Sequence, residues 1–401
     1  MKHIACTLGI LAAGLLPALT VSPALAQTRM QSPQNSVAVQ VAVPAAAPQG
    51  QDGRVAGYRT THEQTGGRVS AALAEGGHVV AWAVRRADGK AFSIFSQRFD
   101  PAGKPTFPIR EGVAQDGSTE LPLKVVGLAN GGYVLAWATS GPEGSTVYAQ
   151  PYLPGASSDV APIRVNEGPM GGRVAPGLAA TGEGGFAVAW TATTRAVPRF
   201  HVTMRRYQAN GAPASREVDV ASTNDFVFQE QVSVVPLAEG GIAVAWASLG
   251  QDGSGWGVYA RQFDQRNVAI ESAKPVNTAW FGNQGEVAAT PLKQGGYVIT
   301  WLQSGSRPGV FAQRFAANGS RMGVEQRVDV RGNPRAHSLG VESRQDGGYV
   351  ISWETHSASG DELFVQPFEA GGAVTLRRSP PAQAQATAGK TEAAAPALAG
   401  S

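Results

Sequence analysis

Cysteine is almost absent from this chain of 401 residues: its only copy, Cys6, lies in an apolar segment at the start. Disulfides and cysteine chemistry are therefore not expected in the rest of the chain. Charge is also scarce, because charged residues make up 16% of the chain and the formal net charge of +3 includes no basic block. Nucleic acid is accordingly not predicted as a partner.

The short motifs that identify common catalytic sites are missing as well. The sequence has no Gly-x-Ser-x-Gly elbow, no Walker loop, no Rossmann fingerprint and no His-Glu-x-x-His. Its six histidines stand apart, without the spacing that is typical of metal ligands. These absences disfavour an enzyme but leave it open, because an active site can be assembled from distant loops.

An export signal is predicted at the N-terminus. Lys2 and His3 form a short polar start, and residues 4–19 are apolar. Ala24-Leu25-Ala26 then supplies the small-x-small pattern that signal peptidase accepts. Residues 1–26 are therefore predicted to be a signal peptide, with a retained N-terminal anchor as the alternative. The mature chain is expected in the periplasm or the medium, without a membrane span.

Low-complexity segments flank a long central region. Residues 27–52 and 379–401 are rich in Ala, Gln and Pro and contain little from which a core could be built. They are predicted to be a flexible leader and a disordered tail. Residues 53–378, between them, carry the pattern on which the fold prediction depends.

A tryptophan returns about every 54 residues of this region inside one short apolar run. The clearest copy reads Gly131-Gly132-Tyr133-Val134-Leu135-Ala136-Trp137. The spacings of 55, 53, 56, 55 and 52 residues indicate six copies of one structural unit. The other copies end at Trp82, Trp190, Trp246, Trp301 and Trp353.

Each unit reads as four short strands: one of small and branched residues, the tryptophan run, one ending in an aromatic, and a polar one. The tryptophan run is apolar at successive positions, which is typical of a strand covered on both faces. A ring of six such sheets covers every apolar face. The chain is therefore predicted to be all-β, a six-bladed β-propeller of four-stranded antiparallel blades. A solenoid is the alternative, although its coils are usually much shorter.

The repeat also resembles a known type. Its pattern is Gly-Gly-aromatic-Val-x-x-Trp, a polar turn, and then Val-aromatic-Ala-Gln-Arg-Phe, best seen in Gly240–Phe263. It is similar to repeats of about fifty residues in large exported bacterial adhesin-like proteins that also carry RTX calcium-binding repeats. The resemblance covers roughly residues 55–370 and implies a propeller-like surface module without a known reaction. RTX-style calcium binding is not implied, because the Gly-Gly-x-Gly-x-Asp nonapeptides are missing.

Two tryptophans outside the repeat pattern mark a candidate binding site. In a propeller, the connections between blades and the loops between second and third strands open on one face, here called the loop face. Trp256 lies in such a loop, and Trp280 lies in such a connection beside Phe281 and Asn283. These residues are predicted either to form an aromatic platform for a sugar ring or an apolar side chain, or simply to cover a loop.

Polar residues suggest two further sites. His337 and Arg335 lie near a connection between blades, and the polar set there also includes His62, Glu63, Arg331 and Asn333. These residues either converge at the mouth of the ring or remain solvated. Asp252 is a candidate calcium ligand beside Ser254, but calcium needs six or more oxygens and Asp-Gly pairs are also favoured in tight turns. No other cofactor is predicted.

The complete scaffold without a catalytic constellation favours a non-enzymatic exported propeller that binds a protein or a glycan through its loop face. A carbohydrate-active hydrolase or lyase that uses the same face is the first alternative. A structural component of the cell envelope is the second. An enzyme should bring two carboxylates, or a histidine and a carboxylate, into one pocket, whereas a binder needs only an aromatic or polar patch.

Overall fold

A computed structural model of the chain describes residues 68–86, 91–115, 122–141, 144–155, 160–168, 175–193, 200–222, 229–251, 253–305, 307–329, 336–357 and 360–374. The signal peptide, the leader and the tail predicted at 1–26, 27–52 and 379–401 lie outside these residues. So do the calcium candidate Asp252 and the site candidate Arg335. All of these stay predictions.

The described strands form six antiparallel sheets in chain order, which confirms the all-β, six-bladed propeller. The first two sheets contain β1 (Arg68–Ala72), β2 (His78–Arg85), β3 (Ala91–Phe99), β4 (Arg110–Gln115), β5 (Leu123–Gly127), β6 (Tyr133–Gly141), β7 (Gly144–Tyr152) and β8 (Ile163–Arg164). The third and fourth contain β9 (Gly177–Ala180), β10 (Phe186–Thr193), β11 (Phe200–Tyr207), β12 (Val218–Ser222), β13 (Gln229–Pro236), β14 (Ile242–Leu249), β15 (Trp256–Phe263) and β16 (Lys274–Pro275). The last two contain β17 (Asn283–Pro291), β18 (Tyr297–Ser304), β19 (Gly309–Phe315), β20 (Arg321–Arg327), β21 (Ala336–Ser343), β22 (Tyr349–Ser357) and β23 (Gly360–Phe368).

The sixth blade has three strands within the described residues. The bridge between Phe368 and Val374 corresponds to the bridges that precede the fourth strand in other blades, such as that between Phe263 and Ala269. The sequence offers two segments as the strand that closes the ring, residues 58–61 and residues 373–378. The first lies outside the described residues, and only two residues of the second lie within them. Within the described part of the chain, no helix is long and apolar enough to cross a membrane.

The repeat tryptophans pack between blades, as the pattern predicts. Trp190, Trp246 and Trp301 are almost fully buried, whereas Trp82 of the first blade is half-buried. The described core forms five clusters, each joining one blade to the next. Most of the tryptophans also stack on an aromatic of the third strand, as Trp246 does on Tyr259 with ring centroids 6.3 Å apart. Burial on both faces therefore explains why most positions of the second strands around the tryptophan are apolar.

The Gly-Gly pair before each tryptophan run has a steric cause. The second glycine of each pair lies against the carbonyl oxygen of the aromatic that ends the third strand. A Cβ atom there would come within 2.8 Å of that oxygen in all six blades. Any side chain would push the second and third strands apart, so the repeat keeps glycine. The six positions are Gly77, Gly132, Gly185, Gly241, Gly296 and Gly348.

From the first blade to the sixth, the first strand of each blade packs against the first strand of the next, so these strands line the inside of the ring. Because the sheets are meanders, connections alternate between their two ends. The Gly-Gly turns lie at one end of every blade. The loops between second and third strands, together with the connections between blades, lie at the other end, which is the loop face.

Candidate functional site

A pocket of about 310 Å³ opens on the loop face where the fourth, fifth and sixth blades meet. It is built from strand ends: the starts of β13, β15, β17 and β21 and the ends of β14 and β18 contribute its walls. Ala247 and Leu302 supply apolar surface, and Trp256 supplies the one aromatic ring. The polar lining consists of Gln231, Asn283, Gln284, Glu286, Gln303 and Ser304.

Three successive inner strands bulge at the same level, opposite the repeat tryptophan. The register shifts between Glu230 and Ser233 in β13, between Gly285 and Ala288 in β17, and between His337 and Gly340 in β21. Within each bulge one residue other than glycine has a positive φ: Gln231 at 55°, Glu286 at 47° and Ser338 at 56°. Such conformations cost about 1–3 kcal/mol each and cluster at functional sites. The inner strands of the fourth, fifth and sixth blades thus each have a strained backbone residue at the same height near the pocket.

Hydrogen bonds connect these three bulges. The backbone N–H of Glu286 donates to Gln231 Oε1, across the boundary between the fourth and fifth blades. Glu286 Oε2 in turn accepts from the backbone N–H of Leu339 at 3.2 Å, across the boundary between the fifth and sixth. The pocket wall is therefore held by contacts between blades and not only by the packing within each blade.

The electrostatics of the pocket centre on Glu286. Burial raises the pKa of the Glu286 carboxyl above its ordinary value, and hydrogen bonds from the β21 backbone and the charge of His337 partly offset that rise. Burial lowers the pKa of the Lys124 ammonium, and the Glu286 carboxylate partly offsets that fall. Lys124 lies on the inner strand β5, where its side chain is exposed to water. Since the second and fifth blades are opposite in a six-membered ring, the two side chains interact across the central opening.

The predicted aromatic platform is divided between two places. Trp256 and Asn283 line the pocket, and Asn283 Oδ1 accepts from the Trp256 backbone N–H at 3.2 Å. Trp280 and Phe281 stack on each other with ring centroids 4.1 Å apart, but they are more than half exposed and do not line the pocket. The carbonyl of Phe281 accepts from the side chain of Gln284 at 3.0 Å, which ties the exposed pair to the pocket wall.

Several buried polar groups at this end of the blades have no hydrogen-bond partner among the described residues. Gln303 lines the pocket, is 4% exposed, and its Oε1 is unpartnered. Gln229 lies opposite Ser248 in the fourth blade, and the side chains of both are buried without a partner. A buried amide or hydroxyl normally binds water or a ligand when no protein group reaches it.

His337 lies at the start of β21, next to the pocket residue Ala336. Its ring stacks on that of His356, with centroids 4.0 Å apart. His337 Nδ1 lies 3.8 Å from Glu354 Oε2, and its Nε2 lies 3.8 Å from Asp361 Oδ1. A histidine and two carboxylates thus converge beside the pocket.

Reasoning from the sequence missed His356, Glu354 and Asp361, and it also missed Gln231 and Glu286. The antiparallel register pairs His337 with Glu354 and His356 with Asp361, residues that are 17 and 5 positions apart in the chain. Aligning the six copies would have placed each of these pairs on neighbouring strands. The bulges could not be predicted from the sequence, because Gln231 and Glu286 are polar residues that also occur at exposed positions of regular strands.

Fold and site together define a six-bladed β-propeller with a polar pocket on its loop face. No protein-family model matches the sequence, and no curated protein is significantly similar to it. Among solved structures it is similar to a protein of unknown function from Dyadobacter fermentans, with a TM-score of 0.55 and 10% identity over 80% of this chain and 96% of that one.

Two further solved structures are similar to this chain. One is an α-L-arabinanase of Penicillium chrysogenum complexed with arabinobiose, with a TM-score of 0.51 and 12% identity over 79% of this chain and 96% of that one. The other is the GH93 α-L-arabinofuranosidase of Fusarium graminearum with arabinobiose, with a TM-score of 0.50 and 13% identity over 74% and 91%. At these identities the likeness shows the propeller fold alone, and the adhesin-type repeat remains a resemblance.

Proposed function

We propose that the protein is an exported β-propeller that binds a carbohydrate in the loop-face pocket. The observation that carries this proposal is the lining: four side-chain amides, a carboxylate and a tryptophan surround one concave space. Amides both donate and accept hydrogen bonds, as the hydroxyl groups of a sugar require. An indole offers a flat apolar surface for the C–H face of a sugar ring.

The size of the pocket favours a short glycan over a protein. Its volume of about 310 Å³ lies near the lower end of the roughly 300–1,000 Å³ that is usual for small-molecule sites. A stable protein interface instead requires on the order of 800 Å² from each partner. The fold is compatible with this ligand class, because two similar propellers are described in complex with arabinobiose. Export remains supported by the N-terminal signal pattern alone.

A glycan array followed by calorimetric titration of the best ligand, with arabinobiose included, tests the proposal. Replacing Trp256 by Ala removes the aromatic wall and should weaken binding about tenfold or more, or roughly 1.4 kcal/mol. Trp280→Ala is the matched control, because Trp280 is exposed and does not line the pocket. Weaker binding in the Trp280 variant alone would place the ligand on the exposed pair and contradict the pocket.

A carbohydrate-active hydrolase that uses the same pocket is the second candidate. One observation favours it: Glu286 lines the pocket with a pKa raised by burial, as a general acid requires. His337, Glu354 and Asp361 converge beside this pocket but do not line it, so they do not supply the histidine–carboxylate pair within one pocket that an enzyme should show. The Glu286→Gln variant separates hydrolysis from binding, because it removes the proton donor and leaves the shape of the pocket intact.

A further inference from the structure

We propose that His337, His356 and Asp361 form a binding site for a divalent transition metal of the zinc class at the loop-face end of the sixth blade. Strand pairing brings the three residues together on β21, β22 and β23. One ligand atom from each residue lies within 4.8 Å of the other two. The proposal does not rest on carbohydrate binding, because none of the three residues lines the pocket.

The distances suit a metal after a small adjustment. His337 Nε2 lies 3.8 Å from Asp361 Oδ1, and His356 Nδ1 is hydrogen-bonded to the same oxygen. Ligand atoms in a tetrahedral site with bonds of about 2.0–2.1 Å are about 3.3 Å apart. The side chain of His356 is 58% exposed, so its ring has room to turn toward a metal. The metal would replace the proton that His356 and Asp361 share.

The two nitrogens of His337 have different surroundings. Nδ1 lies 3.0 Å from the hydroxyl of Ser338 and 3.8 Å from Glu354 Oε2. Nε2 is shielded from solvent and has no hydrogen-bond partner among the described residues, since Asp361 is beyond hydrogen-bond reach. A ligating imidazole has this arrangement: a carboxylate or hydroxyl orients one nitrogen, and the other is aimed at the metal. The Ser338 hydroxyl is therefore the group that orients His337, and the Glu354 carboxylate adds a negative charge 3.8 Å from the same nitrogen.

The donor set indicates which metal is bound. Two imidazoles and one carboxylate suit zinc and its neighbours in the first transition row, whereas calcium takes six to eight oxygens and magnesium keeps carboxylates and water. The stacking of the two rings, with centroids 4.0 Å apart, also brings two imidazoles together near Asp361. Three protein ligands leave at least one coordination position for water or for another ligand.

Zinc titration of the full-length, tag-free protein after dialysis against a chelator tests the site. We expect one zinc ion per chain, and at least about a tenfold loss of affinity in His356→Ala and in Asp361→Asn. Ser338→Ala should weaken binding by about 10–100-fold, because it removes the hydrogen bond that orients His337. His78→Gln is the control, since His78 follows a Gly-Gly turn at the opposite end of the first blade, and it should bind zinc as the parent chain does.

Cobalt supplies a second readout. Cobalt(II) bound by this site should give the intense visible bands of a four-coordinate complex, and His356→Ala should lose them while its circular dichroism remains that of the parent. Two results would overturn the proposal: no zinc bound by the folded parent chain, or equal affinity in the parent and in a His337→Ala/His356→Ala double variant. The double variant excludes binding by histidines elsewhere in the chain.

Discussion

At the scale of single residues, Glu286 shows how one residue joins three blades through its backbone and its side chain. Its backbone N–H donates to Gln231 of the fourth blade, and its carboxylate accepts from Leu339 of the sixth. The same carboxylate lines the pocket. Glu286 thus combines a positive φ of 47° with a carboxylate whose pKa burial raises. Both features are common at functional sites, although structural networks also produce them.

Glu286→Gln is therefore expected to have different effects on binding and on hydrolysis. The amide keeps an oxygen that accepts from Leu339, so the fold and sugar binding should be retained. If the pocket hydrolyses its ligand, the loss of the acid should lower the rate at least about 10²-fold. Release of nitrophenol from a panel of nitrophenyl glycosides measures this rate.

The pH dependence has a defined sign. Because burial raises the pKa of Glu286, the protonated acid persists to higher pH, and a rate that depends on it should fall as pH rises through that pKa. Asn283→Ala is a suitable comparison, since it removes a pocket group that does not titrate. If Glu286→Gln hydrolyses the substrate as fast as the parent, the general acid must be another residue. If the parent shows no hydrolysis, binding alone is the function.

At the scale of elements, the blade depends on one turn with two glycines of different purpose. In the third blade, Gly184 has a φ of +84° and nothing within 4 Å of the position that a Cβ would take, whereas a Cβ on Gly185 would collide with the carbonyl of Tyr207. The first glycine is needed for its backbone conformation and the second for space.

The first strands of the fourth and fifth blades depend on a different feature, the β-bulge. The bulges in β13 and β17 contain Gln231 and Glu286, which line the pocket.

Substitutions at this turn should separate the two requirements. Gly184→Ala should lower the free energy of unfolding by about 1–2 kcal/mol, the cost of a left-handed conformation for alanine. Gly185→Ala should lower it by about 3 kcal/mol or more, because strand pairing must shift to admit the methyl group. Urea unfolding followed by tryptophan fluorescence measures both. If the two variants lost the same free energy of unfolding, the second and third strands would have to move apart at little cost to admit the methyl group.

At the scale of the whole molecule, the ring brings together residues that are remote in the chain. Lys124 and Glu286 are 162 positions apart, yet their charges interact across the central opening. Glu342 occupies another inner position on β21. Leu339 and Val341 pack toward the fifth blade, so strand alternation places Glu342 on the opposite face, the side on which the ring closes. Glu342 reaches water, but burial among the inner strands raises its pKa to about 7.

This raised pKa makes the stability of the ring depend on pH. The folded chain holds the Glu342 proton more tightly than the unfolded chain, so its contribution to stability is full below the ordinary pKa of 4.5 and is lost as pH rises toward 7. Glu342→Gln stays neutral and should therefore raise the melting temperature at pH 8 but not at pH 4. Melting followed by circular dichroism between these values measures the difference. Glu369→Gln, at an exposed turn, is the control. If the melting temperatures of Glu342→Gln and the parent differed by the same amount at every pH, the assignment to Glu342 would be wrong.

The sequence by itself determined the architecture. Six tryptophan runs at nearly constant spacing, each behind a Gly-Gly pair, define six sheets that must be covered on both faces, and only repeated packing of neighbours achieves this. It also located the loop face, since Trp256, Asn283 and His337 all lie at strand ends that share one side. These features depend on the pattern within each copy and on the regular spacing of the six copies, both of which are visible in the sequence.

Tertiary structure alone decided which of those residues act together. Trp256 and Asn283 share a pocket with Gln231 and Glu286, whereas Trp280 and Phe281 form a separate exposed pair. The convergence of His337 with residues of β22 and β23 depends on strand register, and the link from Glu286 to Lys124 depends on the number of blades in the ring. The physical reason is that each repeat encodes its own sheet, while the site is formed by contacts between different sheets, where the copies differ.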